Sequence, residues 1–239
     1  MNRIKGMLLV LCLGASCANA AVITQTMTVD VHTPGGSENP NALTFNKFDT
    51  TQGTLESVQI IYKMYRYGGS VSVDNDSTGA QTATATISLQ GGLSSSNGRL
   101  LNEDYENPWA TVNSLISETY NLAATSGDAI NQFDVTTGGD YAKYEGPSDD
   151  SPILLETSDY ISSDRFSVYT SEGSGTYIIY ETTTQTSSAS GAGVQYAVTQ
   201  QQTYSTVEVI YTYTPVPEPA TASLACAGLL MLFRRRRQA

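Results

Sequence analysis

The sequence predicts an all-β protein: an antiparallel β-sandwich-like single domain with long acidic loops, flanked by a processing signal at each end. Three observations predict it. Apolar and hydroxyl residues alternate with period two in several separate segments, which makes half-buried strands. Ser and Thr make up 53 of the 197 residues from 21 to 217, and threonine branching favours extended backbone. No long segment between the two termini carries a helical period. A chain of 239 residues suits one such domain, since β-sandwiches of over 200 residues are ordinarily single units. The boundaries read from the sequence are 1–20 for the leader, 21–214 for the body and 215–239 for the tail.

The elements follow in order. Residues 22–31 place Ile23, Met27, Val29 and Val31 on one parity and Thr24, Thr26, Thr28 and Asp30 on the other. His32 follows, beside Pro34-Gly35-Gly36, and this turn chemistry reads it as an exposed loop histidine. Val58, Ile60, Tyr62 and Met64 form a further strand after the turn at Gln52-Gly53. Val71 and Val73 lead into Asp74-Asn75-Asp76-Ser77-Thr78-Gly79, and Ala83, Ala85, Ile87 and Leu89 alternate beyond it. Residues 70–90 therefore read as a β-hairpin. Thr111–Leu122 is the one short helix the pattern admits, weakened by Asn and β-branched residues. Val194, Tyr196 and Val198, then Val207, Val209, Tyr211 and Tyr213, restore the strand period. Leu, Ile, Val and Phe number only 39 from 21 to 217, a composition near the border of disorder. The 15 tyrosines complete the core.

The two ends have a different grammar. Arg3 and Lys5 precede an apolar run from Met7 to Leu13, and Ala18-Asn19-Ala20 stands before Ala21. A basic flank, a short apolar core and small residues at −3 and −1 make a secretory signal peptide with signal peptidase cutting before Ala21. Lipoprotein processing at Cys17 is the rival, but Gly14 stands where that signal wants a branched aliphatic residue. At the other end, Val216, Pro217, Glu218 and Pro219 precede an uncharged stretch that ends in Arg234, Arg235, Arg236 and Arg237. Ala220 to Phe233 would span about 21 Å as a helix, short of the roughly 30 Å hydrocarbon core, so membrane residence is transient. Arginines are costly to translocate and act as a cytoplasmic stop.

Val-Pro-Glu-Pro, an apolar stretch and terminal arginines, in that order, resemble the bacterial PEP-CTERM sorting signal. Pro217, Glu218 and Pro219 match its motif residue by residue. The resemblance implies an exosortase substrate, cut near the Pro-Glu-Pro and then released or re-attached at the cell surface. A second resemblance covers residues 21–90 and the final strand. Leu43, Phe45, Phe48, Gly53-Thr54-Leu55, Val58, Ile60 and Val71-Ser72-Val73 with Asp74-Asn75 are similar to the bacterial choice-of-anchor surface domains of group E. That resemblance implies an exported β-rich module without established chemistry.

Charge and residue inventory limit the chemistry. Residues 21–217 hold 22 acids and 6 bases, a net charge of −16, which repels phosphate backbones and excludes nucleic-acid binding. Cys12, Cys17 and Cys226 all fall within the two signals, so a body cut at both ends has no disulfide, thiol nucleophile or thiolate metal site. One histidine leaves little material for a Ser-His-Asp or metal-His cluster. The expectation is a non-enzymatic protein with no obligatory cofactor.

Calcium is the alternative considered. Thirteen acids face one base, Lys143, between Asn102 and Asp164, and acidic loops suit Ca²⁺. Asp140, Glu145, Asp149 and Asp150 are the candidate ligands; solvated loops explain the same charge. Asp74 to Gly79 faintly resembles an EF-hand loop but fails, with Ala85 where the bidentate Glu belongs. Tyr62, Tyr65 and Tyr67, and Tyr204, Tyr211 and Tyr213, read chiefly as core and cross-strand residues. Exposed rings could also stack on sugars. The expected setting is the bacterial cell surface, outer envelope or extracellular matrix, in association with exopolysaccharide or other copies of the chain. A Ca²⁺-assisted adhesin-like glycan- or surface-binding module is the second reading.

Overall fold

The computed structural model describes residues 19–35, 41–95, 112–125, 133 and 139–216. The described chain is mostly antiparallel strand. Its strands are β1 (Ala21–His32), β2 (Asn41–Asn46), β3 (Phe48–Asp49), β4 (Gly53–Asn75), β5 (Gln81–Ser95) and β6 (Val112–Leu122), then β7 (Tyr141–Glu145) and β8 (Ile153–Tyr160). A 3-10 turn (Ser163–Arg165) and a single helical turn, α1 (Phe166–Tyr169), precede β9 (Thr170–Ser171), β10 (Thr176–Ser190) and β11 (Val194–Pro215). No described helix is long and apolar enough to cross a membrane.

Two sheets carry the fold. The larger runs β1-β11-β4, with β7 and β8 both paired to the far edge of β4, and the smaller runs β2-β10-β5-β6. A short parallel pair, β3 with β9, forms a ladder of its own, and Phe48 of β3 packs into the core shared by the two sheets. Inward residues of the two sheets share one apolar cluster, in which Val58, Ile60, Val207 and Val209 meet Phe45, Leu89 and Ile179. Each fully buried aliphatic side chain contributes roughly 1.5–3 kcal/mol. A second cluster forms further along β4, where Val71 and Val73 meet Ala83, Ala85, Ile87 and Leu122.

Two expectations are corrected. The helix expected over Thr111–Leu122 is replaced, over its described residues, by a strand: Val112–Leu122 pairs with β5 from Gln81↔Leu122 to Gly91↔Val112. The edge of β5 offers a continuous ladder, which outweighs the weak helix propensity of Val, Asn, Ile and Thr. Residues 70–90 are not a hydrogen-bonded hairpin either. β4 and β5 belong to different sheets, so the turn after Asn75 carries the chain across the core. The two apolar faces thereby pack against each other; in a hairpin they would lie side by side on one surface.

The last two sequence segments are one strand. β11 pairs with β4 in constant register from Val194↔Asn75 to Thr212↔Ser57. The inward parity changes midway: Val198 packs in the second cluster, whereas Gln201, Thr203, Ser205 and Val207 are buried on the odd positions. The change falls opposite Gly68 and Gly69, with φ of 64° and 75°. β4 changes parity at the same place, from Met64 and Arg66 to Val71 and Val73. Glycine reaches positive φ without the Cβ penalty, so the double glycine lets both strands swap faces together.

Candidate functional site

Among the described residues, polar groups gather at the far end of β4 around Asp74, Asn75 and Asp140, in a seam inside the fold, and in a groove on its surface. The seam lies between the sheets. On β10, Glu181 and Thr183 follow Tyr177 and Ile179 on the inward face, and on β11 Gln201, Thr203 and Ser205 precede Val207. Glu181 is completely buried; Tyr62 donates to its Oε1 at 2.9 Å, and Asn41 Nδ2 donates to its Oε2 at 2.9 Å. A buried carboxyl is tolerated because both oxygens are satisfied. Gly91 makes room for this contact, since a Cβ there would come within 2.6 Å of the Tyr62 hydroxyl and 2.7 Å of Met64 Sδ. Arg66 is buried in the same seam near Tyr144, and desolvation lowers its pKa.

His32 belongs to this seam, which corrects its reading as an exposed loop residue. The register of β1 on β11 shifts between Val29 and His32. This bulge turns Val31 outward, to 53% exposure, and brings the imidazole in. Nδ1 lies 2.9 Å from the Asp30 carbonyl oxygen, and Nε2 lies 2.8 Å from Thr183 Oγ1 and 3.3 Å from Thr203 Oγ1. With Nδ1 donating to the carbonyl, Nε2 of the neutral ring accepts from threonine. The ring thus ties β1 to β10 across the gap between the sheets. Thr183 is buried, so its hydroxyl is a cross-sheet bridge rather than a group presented to solvent.

The outer region is a groove of about 540 Å³ at the double-glycine kink of β4. Tyr67, Ser70, Thr199, Lys143, Glu145 and Asp149 are among the side chains that line it. The backbone holds its shape: Gly68 N donates to the Pro147 carbonyl at 2.6 Å, and Gly146 N donates to the Gly69 carbonyl at 2.9 Å. Tyr65 stacks on Tyr204 with ring centroids 4.6 Å apart and planes 6° apart, and Tyr67 meets Tyr204 at 6.5 Å. Tyr62 and Tyr211, by contrast, are core residues, so the two tyrosine groups divide between the inside and the outside of one sheet.

The four candidate calcium ligands do not form one cluster, although Glu145 and Asp149 line the same groove. Asp140, just before β7, and Glu145, its last residue, stand about 16 Å apart at strand rise. Asp140 is buried, and its carbonyl accepts from Asn75 N at 3.0 Å. Lys143 Nζ lies 2.6 Å from Glu145 Oε1, and this bond and charge hold the Glu145 carboxyl below its ordinary pKa. Asp149 lines the groove, and its neighbour Asp150 is exposed. Among the described residues no group of three or more His, Cys, Asp or Glu side chains is placed to hold a metal ion.

Of the processing residues, Ala20, Ala21 and Val216 are described; Ala18, Pro217, Glu218, Pro219 and Arg234 to Arg237, with the apolar stretch before them, lie outside the described residues. Ala21 opens β1 and pairs with Tyr213, while Pro215 closes β11 and pairs with Gly53. Val216 N still donates to the Gln52 carbonyl at 2.9 Å. The strand pattern read from the sequence covered both halves of β11 and passed over Gly68-Gly69, whose positive φ makes the kink. It held no sign that distant residues 143–149 border the same groove.

No family model and no curated protein sequence matches this chain. Among solved structures, the chain is similar to the VP2 subviral particle of infectious bursal disease virus at 16% identity and a TM-score of 0.22, covering 98% of this chain and 54% of that one. It is also similar to a T13 particle of the same virus at 15% identity and a TM-score of 0.18, covering 92% of this chain and 45% of that one. The chain thus spans about half the length of these neighbours. At such scores the likeness carries no argument about fold or function.

Proposed function

We propose that this chain is a non-enzymatic exported protein of the bacterial surface or extracellular matrix, cut by signal peptidase and exosortase and associated with exopolysaccharide. The single observation that supports the reading best is the pairing of Ala21 with Tyr213. The first residue after the expected leader cut and the last strand before the Val-Pro-Glu-Pro motif lie side by side at one end of the same sheet. Chain entering β1 and chain leaving β11 therefore depart from one end, which suits a body held at the membrane by both signals at once. The rest of the body, with β4 running on the order of 70 Å from that end, then extends away from the lipid.

Mass spectrometry of the mature chain, combined with cell fractionation, tests this reading in wild type and in Glu218→Ala. The wild type is expected to begin at Ala21, to lack the arginine tail and to leave the membrane fraction. Glu218→Ala is expected to keep its tail and remain with the membrane. Recovery of the wild-type chain from the cytosol with Met1 and Ala239 both intact would overturn the proposal.

A further inference from the structure

The groove beside Tyr67 has a built character that the export reading does not use. Its floor is backbone at Gly68 and Gly69, and its wall lies directly on that floor: a Cβ on Gly146 would meet the Gly68 carbonyl oxygen at 1.9 Å. Its wall is pinned to that floor by the two hydrogen bonds from Gly68 to Pro147 and from Gly146 to Gly69. Its aromatic ring is already oriented, since Tyr67 packs on Tyr204 and Tyr204 stacks on Tyr65. A site ordered before binding loses little conformational freedom when a ligand arrives.

The lining also selects among ligands. An aromatic ring offers an apolar face with a polar tip, which matches the alternating C–H and hydroxyl surfaces of a sugar. Ser70 and Thr199 supply hydroxyls, and Lys143, Glu145 and Asp149 supply charged donors and acceptors. Glu145 is bonded to Lys143 and 72% exposed, so this ion pair stands at the rim with one face toward solvent. Two acids against one base leave the groove negative, on a chain of net charge −11. An acidic polymer would be repelled at long range and again at contact. The volume of about 540 Å³ falls within the range of ligand clefts and holds a short run of sugar rings.

We propose that this groove binds neutral polysaccharide, with Tyr67 as the stacking platform and Ser70, Thr199, Lys143, Glu145 and Asp149 as hydroxyl partners. This deepens the proposed association with exopolysaccharide and does not depend on either cleavage. A chain that failed the terminal mass test would still bind sugar, and a correctly processed chain could fail to bind. The test is calorimetric titration of the purified full chain with cellohexaose, maltohexaose and mannohexaose as neutral probes and hexagalacturonate as the anionic probe. At least one neutral hexamer is expected to bind and the galacturonate is not. Tyr67→Ala is expected to weaken binding about tenfold, the loss of one stacking contact, while Tyr160→Ala, an exposed ring on β8, leaves it unchanged. Asp149→Ala, in an exposed loop, provides a second variant that keeps the fold and is expected to weaken binding severalfold. Failure of all three neutral hexamers to bind, equal or tighter binding of the galacturonate, or wild-type binding by both groove variants would each overturn the proposal.

Discussion

Glu181, Tyr62 and Gly91 form the unit on which the interior depends most directly. The glycine leaves the volume that the tyrosine hydroxyl needs to reach the carboxyl. Gly91→Ala is expected to push the Tyr62 ring or Met64 aside and leave Glu181 Oε1 without its donor. Overpacking and loss of a buried hydrogen bond each cost about 1–3 kcal/mol, so urea unfolding should show a clear loss of stability. The tyrosines make a second residue-scale statement. Burial raises the pKa of Tyr62, Tyr169 and Tyr177 above the ordinary value, and it pushes Tyr211 up to about 12. The folded state holds these phenols protonated while the unfolded chain releases them near pH 10. Their contribution is therefore complete below about pH 10 and falls as pH rises above it, Tyr211's being lost through about 12 and that of the other three later. Tyrosinate absorbance is expected to rise together with loss of the β-sheet circular dichroism signal over that interval. Ionisation of all the tyrosines before the fold is lost would contradict it.

Among the elements, β4 and β11 decide the most, because they change faces together at Gly68-Gly69 without losing register. The sequence carried half of this, since the apolar positions of β11 switch from even to odd between Val198 and Val207. It gave no reason to join the two runs, and only the ladder to β4 makes them one strand. Gly69→Ala would strain a residue at φ 75° and press a methyl group on Gln201. A cost of about 1–3 kcal/mol follows, and the thermal midpoint should fall relative to Ala substitution at an exposed strand position such as Ser158. β6 teaches the complementary point. In sequence it read as a short helix of weak propensity, and the open edge of β5 made it a strand by tertiary pairing. β1 shows how one bulge defeats a parity count: Val31 had the right parity for the core, and the shifted register gave that inward place to His32.

For the whole molecule, the central arrangement is the pairing of the start of β1 with the end of β11, Ala21 beside Tyr213. Antiparallel pairing puts the first residue of β1 and the last residues of β11 at one end of the sheet, which is the placement the proposed double processing calls for. Charge acts at this scale too. A body with an excess of acids keeps clear of anionic polymers, so any polymer it recruits is selected by shape, stacking and hydroxyl contacts in a groove rather than by long-range attraction.

By itself the sequence determined the period-two faces, the strand-rich character of the body, the acidic balance and the grammar of the two termini, because each is a local pattern or a sum over residues. Tertiary structure alone decided that the Asp74–Gly79 turn crosses between sheets, that His32 bridges them, that Asp140 stands apart from Glu145 and Asp149, and that residues 67–70 and 143–149 form one groove. Those outcomes depend on which strands become neighbours. Neighbours are chosen by burying apolar faces and satisfying backbone hydrogen bonds over the whole chain at once, and no window along the sequence contains that choice.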